Sequence, residues 1–139
     1  MREYIFRGYD AVGDKGWVFG DLVHNKKVTR DGLEDRVMVG GYEVVPESVG
    51  LFTGLYDYDN KPIYEGDLIY SRFDIVRPYG SVEYHPDGYF YMDDYYGKNT
   101  TKESKAPLGE MLRHNVDGRY AELRVKGTVY ENRGLLKYE

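Results

Sequence analysis

From Ala121 to Val129 the odd positions are Ala, Leu, Val, Gly and Val and the even ones Glu, Arg, Lys and Thr. That period of two predicts a strand with one buried face, whose inward row is Ala121, Leu123, Val125 and Val129. Near the start, Tyr4 to Tyr9 and Trp17 to Val23 are aromatic and β-branched runs separated by Asp10 to Gly16, which predicts a hairpin. Asn25 to Arg36 is polar, and Val37-Met38-Val39 and Tyr42 to Val45 are short strand candidates around Gly40-Gly41. Pro46 to Gly50 has proline where a helical turn can start and glycine where it can stop, so a single turn and a joint are expected there.

Beyond the joint, Asp59-Asn60 suits the positive φ values of a primed turn ahead of Ile63-Tyr64, and Gly66-Asp67 marks a bend before Leu68-Ile69-Tyr70. His85-Pro86-Asp87-Gly88 fits a type I turn between Val82-Glu83-Tyr84 and Tyr89 to Met92, a second hairpin. Asp93 to Lys105 has little to bury and reads as a mobile loop. Pro107, Leu108, Met111 and Leu112 at helical spacing predict a short helix over 107–114, placed to plug an open barrel end.

Composition sharpens the fold class. The 139 residues include 16 Tyr and 17 Gly but only 5 Phe, a balance suited to strands and tight turns rather than helix bundles. The expectation is a mainly β chain, α+β with little helix, with residues 1–50 forming a β-rich N-terminal part and 51–139 the remainder. The absence of cysteine excludes disulfides, thiolate nucleophiles and zinc ribbons, and points to a reducing cytoplasm. Met1-Arg2-Glu3-Tyr4 lacks the apolar core of a signal peptide, and no apolar run is long enough for a membrane helix, so no membrane is expected. A formal net charge of -5 gives no overall attraction to phosphate backbones or anionic lipid.

Signatures of chemistry are missing. Asp57-x-Asp59 has the start of a calcium loop, yet Pro62 stands at the sixth place and Leu68 at the twelfth, where glycine and glutamate are required. His24, His85 and His114 lack metal-ligand spacing, and neither a phosphate-binding glycine loop nor a nucleophile elbow is present. No cofactor, no metal and no enzyme activity is expected. Glu65 and Asp67 flank a glycine, which favours a bend in which Asp67 holds backbone N–H groups over a catalytic pair.

Three blocks carry a resemblance to a known family. They are Met1-Arg2-Glu3 with Phe6-Arg7 and Tyr9-Asp10; then Val49 to Leu55 with Asp57 and Ile63 to Ile69; and Gly127 to Asn132 followed by Leu135-Leu136. In order and spacing they resemble the YopX-like proteins of bacteriophages and prophages, with Asp59-Asn60 where the family often has Asn-Gly and Thr128 where it often has Asn. The resemblance implies an N-terminal β-rich portion joined to a C-terminal SH3-like barrel, a phage protein in a bacterial host cytoplasm, and no particular reaction.

The tyrosines are the main interaction candidates. If Phe90 and Met92 face the core, Tyr89 and Tyr91 face outward, and with Tyr84, Tyr95 and Tyr96 they form either a protein-binding surface or a row of cross-strand packing. The partner would be another protein or a second copy of this chain in a homo-oligomer. The acidic neighbours Asp87, Asp93 and Asp94 disfavour nucleic acid on that face. The alternative reading is a nucleic-acid accessory factor using Arg113, Arg119, Arg124 and Lys126, diluted by Glu110 and Glu122.

Overall fold

The computed structural model describes residues 3–71, 80–94, 107–114 and 122–132. The chain divides into two compact units, Met1–Phe52 and Thr53–Glu139.

In the first unit, β1 (Phe6–Tyr9) and β2 (Trp17–Gly20) form the expected antiparallel hairpin, with Phe6 opposite Gly20 and Tyr9 opposite Trp17. Asp10 organises the connection, its carboxylate accepting the N–H groups of Val12 at 3.1 Å and of Gly13 and Lys15 at 3.2 Å. These bonds, led by those from Gly13 and Val12, hold the Asp10 carboxyl below the usual aspartate range.

The polar stretch Asn25 to Arg36 lies within a long hairpin. β3 (Leu22–Thr29) pairs with β4 (Gly32–Val39) from Leu22↔Val39 to Thr29↔Gly32. Most of its outer residues are exposed on both faces, so nothing in their chemistry needed to alternate. β5 (Tyr42–Val44) returns along β4 after Gly40-Gly41, and a 3-10 turn follows at Pro46–Ser48. Ser48 ties that turn to β1, its hydroxyl donating to Val45 O at 2.6 Å and accepting from Tyr9 N at 2.7 Å. The core of this unit is Val18, Val39 and Val44, against which Phe6, Leu22, Val37 and Val49 pack. β6 (Gly50–Tyr56) begins here, with Gly50 opposite Arg7 and Leu51 opposite Phe6.

In the second unit the rest of β6 runs beside β7 (Pro62–Tyr64), and Thr53 Oγ1 donates to Ile63 O at 2.8 Å. The turn between them is not the primed type expected at Asp59-Asn60. Only Asn60 takes a positive φ, and the loop is organised by Asp57. A second sheet contains β8 (Asp67–Tyr70), β9 (Gly80–His85), β10 (Tyr89–Asp94) and β11 (Arg124–Thr128) in the order β10-β9-β8-β11, antiparallel throughout. Gly66, at φ 94°, makes the expected bend, and Asp67 accepts the Tyr64 N–H at 2.7 Å. The hairpin turn at residues 85–88 also forms, closed by Gly88 N–H to His85 O at 2.9 Å. Helix α1 (Leu108–His114) lies beside β10, with Leu108 buried.

The period-two strand needs one correction. Leu123 and Val125 are buried as expected, but Gly127 sits at φ 146° in a register shift between Val125 and Thr128. That bulge turns Thr128 inward, to 6% exposure, and leaves Val129 only half-buried. Ala121 lies outside the described residues, as do most of the predicted 93–105 loop and all of 133–139. The chain is mainly β with one short helix among the described residues, and these do not close into a barrel.

Candidate functional site

The β9–β10 hairpin carries the tyrosines singled out from the sequence. Its register sets Tyr89 opposite His85, Tyr91 opposite Glu83 and Asp93 opposite Ser81, so these six side chains share one face. Val82, Phe90 and Met92 occupy the other face, and all three are buried. Tyr89 and Tyr91 do not face solvent as expected: Tyr91 is 4% exposed and Tyr89 half-buried. Both sides of this hairpin are covered, and alternation assigns a side chain to a face without saying whether that face is wet.

On the polar face His85 is clamped. Its ring stacks on Tyr89 at 4.4 Å between centroids and meets the edge of Tyr91 at 5.5 Å. Nδ1 accepts the Asp87 backbone N–H at 3.0 Å, so the neutral ring carries its proton on Nε2. The Ser81 hydroxyl donates to Glu83 at 2.9 Å. Burial, with Asp93 and Glu83 adding negative charge nearby, raises the Tyr91 hydroxyl above its ordinary pKa. His85, 3% exposed and with Nδ1 holding the Asp87 N–H inside the turn, braces the hairpin.

Tyr84 projects from the opposite face, 51% exposed, with its ring edge-on to Phe90 at 5.0 Å. Tyr56 and Tyr58, also in this unit, are 51% and 61% exposed. Neither was singled out in the sequence, because a tyrosine on a half-wet strand looks the same whether its ring is covered or free. Tyr95 and Tyr96 lie outside the described residues.

The basic candidates are only partly placed. Arg124 donates from Nε to Asp59 at 2.8 Å and from Nη1 to Glu122 at 3.2 Å, and its guanidinium lies 4.6 Å above the Tyr58 ring. The hydrogen bond to Asp59 leads the effects that raise its pKa further. Lys126 is exposed on the same strand. The side chain of Arg113, and Arg119 altogether, lie outside what is described.

Asp57, the first residue of the apparent calcium loop, is used structurally. It is 7% exposed; Oδ1 accepts the N–H groups of Asp59 and Lys61, each at 2.8 Å, and Oδ2 accepts that of Val125 at 2.9 Å. Three N–H donors leave few of its lone pairs for a cation. Among the described residues no group of three His, Cys, Asp or Glu is arranged to hold a metal ion.

Fold and geometry together define a small antiparallel β protein whose described buried polar groups mainly organise its turns and strand joints. The chain belongs to the YopX family: the model of that family, described as YopX protein, matches residues 6–137. No curated protein matches the chain. No helix among the described residues is long and apolar enough to cross a membrane.

Proposed function

We propose that this chain is a non-enzymatic, phage-derived protein of the bacterial cytoplasm that acts by binding another protein, with a C-terminal part built on an SH3-like plan. The observation that carries the contact reading is the set of large, half-exposed tyrosine rings in the second unit, Tyr56, Tyr58 and Tyr84. Such rings give much contact area for little ordering entropy. The SH3-like plan is supported by a three-strand meander, β8–β9–β10, with β11 returning beside β8, and by the bend at Gly66 and bulge at Gly127, which curve a sheet. The nucleic-acid alternative loses Arg124 as a free cation, since it is bound to two carboxylates.

Affinity capture from lysogenic cells with the wild-type chain and with Tyr84→Ser as baits tests the contact surface. Loss of a specific protein from the Tyr84→Ser eluate supports it. Identical eluates from both baits would place the contact elsewhere.

A further inference from the structure

We draw no further inference here: the strongest candidate, the open cavity on the β3–β4 hairpin with the exposed Val28–Leu33 pair at the hairpin tip, carries nothing, because its Lys26 and Asp35 are already paired with each other and nothing in the structure shows what covers the tip.

Discussion

Asp57 shows how much one carboxylate can organise in a chain with a small core. Its two oxygens take three backbone N–H groups from two places far apart in sequence, the 59–61 turn and the start of β11. Removing it strands the Val125 donor, whose bond is buried, and opens the 59–61 turn that the other two bonds hold. Asp57→Ala is expected to cost roughly 2–4 kcal/mol, measurable by urea denaturation. Asp57→Asn, which offers a single acceptor oxygen, should fall between the two. A destabilisation below about 0.5 kcal/mol would mean that water replaces the carboxylate. His85 gives a second test at this scale. Nitrogen NMR should show Nδ1 unprotonated and Nε2 protonated in the neutral ring, as the Asp87 N–H requires. The opposite tautomer would contradict the turn described here.

Among the elements, β11 is the clearest case of local pattern meeting tertiary demand. Alternation identifies the strand and its two innermost residues, Leu123 and Val125. It does not reveal the bulge, because glycine reads as a small inward residue in a periodic pattern. In the fold Gly127 instead serves by its positive φ, and a Cβ there would lie 2.6 Å from Asn132 Oδ1, the atom that accepts the Thr128 N–H. Gly127→Ala should therefore destabilise the protein by roughly 1–3 kcal/mol, read as a lowered urea midpoint with an unchanged slope. A neutral outcome would argue against a fixed bulge. The β3–β4 hairpin is the opposite case: its bases at Leu22-Val23 and Val37 to Val39 are legible, but Asn25 to Arg36 reads only as polar, because most of that stretch lacks a dry face to impose a period.

At the scale of the whole molecule, the pH dependence of stability reports groups that folding perturbs in opposite directions. Tyr91 is held protonated in the fold, so above pH ~10 the unfolded chain ionises first and stability falls as pH rises further. Asp10 is held ionised, so its contribution is present above pH ~4 and is lost as pH falls through its lowered folded value. Thermal melts across pH should show Tyr91→Phe flattening the alkaline limb and Asp10→Asn the acid limb. Unchanged limbs in both variants would mean that other groups set the profile.

Sequence by itself determined the strand-rich class, the hairpins at 10–16 and 85–88, the bend at Gly66-Asp67, the helix and the family. Each of these depends on local chemistry: turn residues at fixed offsets, alternation over a few positions, and short motifs in order. Tertiary structure alone decided which faces are covered. It buried Tyr91 while exposing Tyr84, drew Arg124 into pairs with Asp59 and Glu122, and turned Thr128 inward. Burial depends on what other segments bring to the far side of a strand, and that is a property of long-range packing which no stretch of residues carries on its own.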